Sequence, residues 1–151
     1  MGLIKSFKNA ATGLIRAFMS ERNFRIHLIM MCYVVGFMGY YDLSRLETAL
    51  ILLLFGAVLS AELMNTSIEY IINMNVEGFD IRAKHAKDIA AGAVMVFAVI
   101  AVAVGLIFFL DFKVLTEIFF DLKNTPIKGI MFLMSLVVSL YICTKVRYLK
   151  K

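Results

Sequence analysis

Over the first twenty positions the apolar residues keep returning to one side of a helix. Leu3, Ile4, Phe7, Ala10, Ala11, Leu14, Ile15 and Phe18 share that side, and Lys5, Lys8, Asn9, Thr12 and Arg16 take the others. This spacing predicts an amphipathic helix over 2–20 that lies on a membrane surface. A cleavable secretory signal is the competing reading. It is disfavoured because the basic residues alternate with the apolar ones and no apolar core of about seven residues precedes a small-residue cleavage site.

Beyond residue 20 the polar positions thin out. A first span is predicted from Ile26 to Tyr41, short for a membrane crossing, with His27 near its entrance and Tyr40 and Tyr41 at its exit. After the link DLSRLE, a helix is expected from Leu46 to Asn73. At about 1.5 Å per residue it reaches roughly 40 Å, more than the hydrocarbon layer, so its polar end must protrude or tilt. A third span is expected from Ile89 to Leu110, where Ala91, Gly92, Ala98, Ala101 and Gly105 are small enough to let helices approach closely. The link FKVLTEIFFDLKNTPI can lie along the interface, and a fourth span follows from Ile127 to Thr144. The expected fold class is therefore all-α: a membrane helical bundle with a surface helix, three core spans and a C-terminal fourth. Residues 1–110 read as one membrane domain and 111–151 as a C-terminal extension.

Composition agrees with the pattern. Of 151 residues 62% are hydrophobic and one is proline, and the mean hydropathy is +0.86. That is far above the apolar share of ordinary soluble domains and leaves little room for a soluble catalytic domain. Cys32 and Cys143 fall in apolar runs at no metal-ligand or redox spacing and read as small buried hydrophobes. The net charge of +5 does not imply nucleic acid, because the basic residues are dispersed around the hydrophobic segments instead of forming a patch. They report topology instead. With the amino terminus in the cytoplasm, inner segments hold twelve of the sixteen Lys and Arg residues, and outer links hold Arg45, Lys113, Lys123 and Lys128. This places both termini inside.

Against this background the stretch AELMNTSIEY stands out. At 100° per residue, Glu62, Asn65, Thr66, Glu69 and Asn73 fall within an arc of about 100° over roughly 16 Å of axis. A charged residue deep in a bilayer costs a few kcal/mol, so such groups face a wet cavity, a partner or a metal. A solvated helix end is the plain alternative; it suits Asn73 better than Glu62, which apolar neighbours hold close to the membrane. In FDIRAKHAKDIAAGAV, Asp80 is placed to cap a helix, and Lys84, Lys87 and Asp88 follow at helical spacing. Arg82 and Lys84 read as snorkelling topology markers. Carboxylates in one cluster and a lysine in the next suit phosphoryl transfer, which needs carboxylates for Mg²⁺, a cation for the phosphates and a base for the attacking hydroxyl. No GxxxxGK[ST] loop or protein-kinase signature is present. An ion or proton pathway fits these residues nearly as well.

Three motifs narrow the choice: ERNFRIH at 21–27, ExxNTSIE at 62–69 and AKDIAAGAV at 86–94. Together, in this order, they resemble the prokaryotic diacylglycerol kinase family, nearer its undecaprenol kinase branch. The resemblance covers roughly residues 1–110. It implies a membrane lipid kinase using MgATP and a lipid alcohol, assembled as a homotrimer with active sites shared between subunits at the cytoplasmic face of the cell membrane. It also implies Glu62 as the catalytic base facing the lipid hydroxyl, and Glu21 and Glu69 as metal-binding carboxylates. Asn65, Lys87 and Asp88 match the rest of the nucleotide site, with Lys87 nearest the phosphates, and Asn23 and Arg25 are placed near the lipid entrance. Two positions depart from the pattern: Asn73 stands where Asp is common and Asp80 where His is common, which puts the hold on the adenosine end in question. Undecaprenol is the expected acceptor and diacylglycerol the alternative; a cation-conducting protein or an inactive scaffold are readings of another class.

Overall fold

The computed structural model describes residues 2–145, so Arg147, Lys150 and Lys151 of the charge count lie outside the described residues. Among those described, six α-helices and no strand are found. Helix α1 (Leu3–Ser20) is followed by α2 (Arg22–Phe37) and a 3₁₀ turn (Met38–Tyr40), then by α3 (Arg45–Asn75) and α4 (Ile81–Phe109). A hairpin of α5 (Phe112–Asn124) and α6 (Pro126–Lys145) completes the chain.

Local chemistry explains where the helices begin. Glu21, with φ −102° and ψ 115°, breaks the run between α1 and α2, which lets one lie at an angle to the other. Ser44 and Glu47 form a reciprocal capping box that starts α3. Asp80 caps α4 by accepting from the backbone N–H groups of Arg82 and Ala83, as its position in the sequence foretells. The cap lets α4 start eight residues before the predicted apolar span. Asp111 caps α5 in the same way. Gly78, at φ +83°, makes the turn between α3 and α4 in a backbone conformation that side chains with a Cβ resist.

Three helices, Arg45–Asn75, Ile81–Phe109 and Pro126–Thr144, are long and apolar enough to cross a membrane. The predicted first span corresponds to α2, whose 16 residues rise roughly 24 Å, and the 3₁₀ turn after it adds about 6 Å. Large apolar side chains stand exposed along the helices, among them Leu53, Ile89, Val102, Ile107 and Val137, a surface that only lipid or other apolar matter can cover.

α3 is the centre of the bundle. α4 packs along it, α2 lies against it, and the end of α1 reaches it near its polar stripe. Ile51, Val58, Ala90 and Val94 are buried in these contacts. Two of the small residues of α4 make no close helix contact within one chain. A Cβ built on Gly92 or Gly105 meets nothing within 4 Å, so within one chain these glycines mark open space instead of a tight helix contact. The close approach is in the hairpin, where a Cβ on Gly129 would come within 2.6 Å of the Leu122 carbonyl oxygen.

The hairpin docks on α2. α6 runs antiparallel to it, so that Lys128 and Asp121 meet Tyr40, Phe132 packs edge-on against Phe37 and Tyr33, and Ser135 and Ser139 meet the Tyr33 hydroxyl at 3.1 and 3.0 Å. α5 is amphipathic as expected: it buries Ile118, leaves Phe119 and Phe120 exposed, and carries Lys113, Glu117 and Lys123.

Candidate functional site

The polar stripe of α3 forms one edge of the helix, and its burial is graded along the axis. Glu62 is 3% exposed, Asn65 9% and Thr66 8%; Glu69 is half-buried and Asn73 exposed. The gradient follows from what covers them. The junction of α1 and α2 lies over the first turns of the stripe and buries Ala17 and Phe24, and Glu21 and Asn23 at that junction come within interaction range of Glu62. The far end of the stripe projects past the junction.

Each group has a definite hydrogen-bonding state. Thr66 donates to the Glu62 carbonyl at 2.9 Å and is thereby absorbed into the helix. Asn65 donates from Nδ2 to Glu69 Oε1 at 3.1 Å. Its own Oδ1 has no partner among the described residues, nor does Glu62 Oε2, although both atoms are buried. A buried, unpartnered carboxylate oxygen beside an unpartnered amide oxygen is costly to leave so, because each has given up water for nothing. Glu62 also stands within electrostatic range of Glu21 and Glu69. Like charges within range of one another repel unless a proton or a cation joins them.

These are hard oxygen donors, the kind Mg²⁺ prefers. Among the described residues no three carboxylate or imidazole groups close on one point as a complete protein cage would. Mg²⁺ is ordinarily held by one or two carboxylates together with water and substrate phosphate. The orphaned oxygens of Glu62 and Asn65, with Glu21 and Glu69 beside them, fit an ion that phosphate oxygens help to hold.

The second cluster is only partly assembled in one chain. Lys87 Nζ donates to Asn73 Oδ1 at 2.6 Å, which ties α4 to the exposed end of the stripe. Asn73 therefore keeps an acceptor toward the lysine where the family pattern has a carboxylate. Beside this pair, Asn73, Asp80, Lys84 and Lys87 line a cavity of about 230 Å³ at the α3–α4 turn. The Arg82 guanidinium, bound at 3.1 Å, and the Arg82 backbone N–H hold the Asp80 carboxyl below the ordinary carboxylate range, so Asp80 is engaged in capping. Asp88 is exposed and is not among the side chains that act on Glu62. Adjacent helical residues diverge by about 100°, so Lys87 and Asp88 cannot both face the stripe of their own chain.

Of the two residues expected near the lipid entrance, Asn23 is exposed and approaches Glu62. Arg25 is 3% exposed and donates from Nη1 to the carbonyls of Phe18 at 2.9 Å and Met19 at 3.2 Å. It closes the carboxyl end of α1, which has no basic residue of its own in its last turn, and satisfies carbonyls that the helix leaves open. A sequence signal for this existed: an α1 ending without a basic residue, and an arginine one turn into the next helix.

Comparison with known proteins agrees with the three motifs. The family model for prokaryotic diacylglycerol kinase matches residues 8–109. The undecaprenol kinase of Bacillus subtilis (strain 168) is 44% identical over 108 residues, 70% of this chain and 86% of that protein. The diacylglycerol kinase of Synechocystis sp. is 38% identical over 104 residues, 68% of this chain and 59% of that protein. No solved structure matches the chain.

Proposed function

Since this chain belongs to the prokaryotic diacylglycerol kinase family, we propose that it transfers the γ-phosphoryl group of ATP to the hydroxyl of a membrane lipid alcohol, undecaprenol in the first place. The observation that carries this reading is the buried Glu62 carboxylate with its free Oε2, at the one place where α1, α2 and α3 converge. The relative with 44% identity over 86% of its length is named an undecaprenol kinase, which favours a polyprenol over diacylglycerol as acceptor.

In this reading Glu62 is the base. Its free Oε2, buried where three helices converge, is available to accept the proton of a primary alcohol. Asn65 orients Glu69 through its amide, and its Oδ1 is available to a ligand. Glu21 and Glu69 hold the metal, and Asn65, Lys87 and Asp88 serve the nucleotide. Bound Mg²⁺ would neutralise phosphate charge during transfer. Lys87, anchored by Asn73, points its ammonium toward the exposed end of the stripe, where phosphates would lie. Asp88 is exposed in its own chain, which leaves it available to a site shared across a subunit boundary in a homotrimer. The distribution of Lys and Arg supports a cytoplasmic position for this end of the bundle and for the amino terminus. A cation-conducting role is disfavoured because the carboxylates crowd one end of the bundle instead of its midplane.

The test is ATP-dependent phosphorylation by the full chain in phosphatidylcholine vesicles, with Mg²⁺ and either undecaprenol or diacylglycerol. Undecaprenyl phosphate should form, and Glu62→Gln and Glu69→Gln should each abolish it. Equal turnover in the parent and both variants would overturn the assignment of the site, and exclusive phosphorylation of diacylglycerol would overturn the choice of acceptor.

A further inference from the structure

Between α2 and α4 the bundle is not filled. An inner cavity of about 330 Å³ has His27 and Met30 of α2 on one side, Ala98 and Ala101 of α4 on the other, and Val58 of α3 behind it. An outer cavity of about 360 Å³ continues it toward Tyr41 and Phe109. The two lie end to end and meet at Val34, Val102 and Gly105, which line both. Together they form one cleft following α2 from Ile26 to Tyr41, roughly 20 Å at 1.5 Å per residue. Its inner end lies beside the candidate site, because Val58 sits one helical turn from Glu62 on the same side of α3 and both are buried. At its outer end Leu115 and Ile118 of α5 form part of the wall. That helix belongs to the hairpin, outside the segment 8–109 that the family model matches.

We propose that this cleft seats the hydrocarbon tail of the acceptor lipid, one chain at a time, and that the C-terminal hairpin supplies its outer stop. The inference rests on the lipid kinase reading above and adds the tail site to it. The occupant follows from shape and position. The inner end of the cleft abuts the candidate site, so an alcohol held at Glu62 delivers its own tail into it. A chain of methylene or isoprenyl groups fits a cleft of this section, and the lining offers it almost wholly apolar contact. Two compartments in series accept one chain, so a single-tailed polyprenol suits the cleft better than a lipid with two parallel acyl chains. Gly105 is the waist of the cleft, and α5 fixes how far a tail can run before it must turn out into the bilayer. The hairpin is held for this task by Tyr33 and Phe37 of α2, the helix that forms one wall, and by Tyr40 of the turn that follows it.

Gly105→Leu tests the proposal without crowding the fold, since a Cβ there meets nothing within 4 Å. In phosphatidylcholine vesicles the variant should raise KM for undecaprenol at least tenfold, while kcat/KM for a ten-carbon prenol stays within twofold of the parent. Ala103→Leu, on an exposed face of α4 that does not line the cleft, should change neither. A second measurement needs no turnover: undecaprenol carrying a diazirine at the tail, photolysed without ATP, should label Leu106, Leu115 or Ile118 in the parent, and Gly105→Leu should suppress that labelling. An unchanged KM for undecaprenol in Gly105→Leu, or labelling confined to the outward surfaces of α3 and α4, overturns the tail site. Equal loss on both alcohols with a change in assembly size would make the cleft a seat for a second copy, and overturns it too. If the parent phosphorylates no alcohol yet the cleft is labelled, the kinase reading fails and the tail site stands.

Discussion

The two ends of the bundle treat polar side chains in opposite ways. At the hairpin end every polar group in contact finds a partner in the chain: Tyr40 donates to Asp121, Lys128 reaches both Asp121 oxygens at 2.7 and 3.0 Å, Tyr41 donates to the Phe109 carbonyl, and Tyr33 bridges Ser135 and Ser139. At the α1–α2–α3 junction the groups are more deeply buried yet less satisfied, with Glu62 Oε2, Asn65 Oδ1, Arg25 Nε and Ser20 Oγ all lacking partners among the described residues. A polar cluster that serves only to hold helices together is expected to close on itself, because each orphaned atom weakens the fold it is meant to support. The open cluster is therefore the one poised for a ligand, and the closed one is structural.

The comparison can be broken at either end, and the largest effect is expected at the open one. Glu62→Gln removes the base and should lower lipid phosphorylation by about 10²–10⁴-fold, the usual yield of general base catalysis, while thermal stability in detergent stays level or rises because a repelled buried charge is gone. Loss of stability in parallel with activity would make Glu62 a structural residue. Gly129→Ala should cost the hairpin roughly 1–3 kcal/mol of overpacking against Leu122. Proteolysis between α5 and α6 should then speed up while the ten-carbon prenol is still phosphorylated. Tyr33→Phe should cost about 0.6 kcal/mol, the average for a hydrogen bond between membrane helices, with turnover unchanged.

The smallest effect is that of pH on the hairpin. Lys128 first, and the Tyr40 hydroxyl next, hold the Asp121 carboxyl below its ordinary range. A depressed carboxyl contributes stability that is fully present above the unfolded value of about 3.9 and is lost as pH falls through the folded value. The melting temperatures of the parent and Asp121→Asn should thus differ by a constant amount from pH 5 to 8 and converge below about pH 4. A gap that persists in acid would mean that Asp121 acts by packing alone.

Most of the fold was legible because membrane helices must satisfy their backbone internally, which leaves apolar periodicity as the main variable. The 100° advance per residue is enough to bring Glu62, Asn65, Thr66 and Glu69 to one edge of the helix. What could not be read depends on neighbours distant in sequence. Tyr33 and Ser135 are 102 positions apart, so nothing local announces their contact. Arg25 sits in a motif that resembles a substrate-binding one, yet its buried guanidinium closes α1, because only the bend at Glu21 brings the two together. Small residues on α4 implied close packing, and the structure uses Gly105 to leave a cleft open instead. Composition alone does not say which neighbour a small residue makes room for.

The central claim is that Glu21 and Glu69, the carboxylates beside Glu62, hold a divalent ion jointly with the phosphates of ATP. Binding of Mn²⁺ in place of Mg²⁺, followed by electron paramagnetic resonance on the full chain in vesicles with a non-hydrolysable ATP analogue, tests it directly. The account predicts bound Mn²⁺ only when the nucleotide is present, and at least tenfold weaker binding in Glu69→Gln. Equal Mn²⁺ binding in the parent and Glu69→Gln, or none in the parent with nucleotide present, would contradict it.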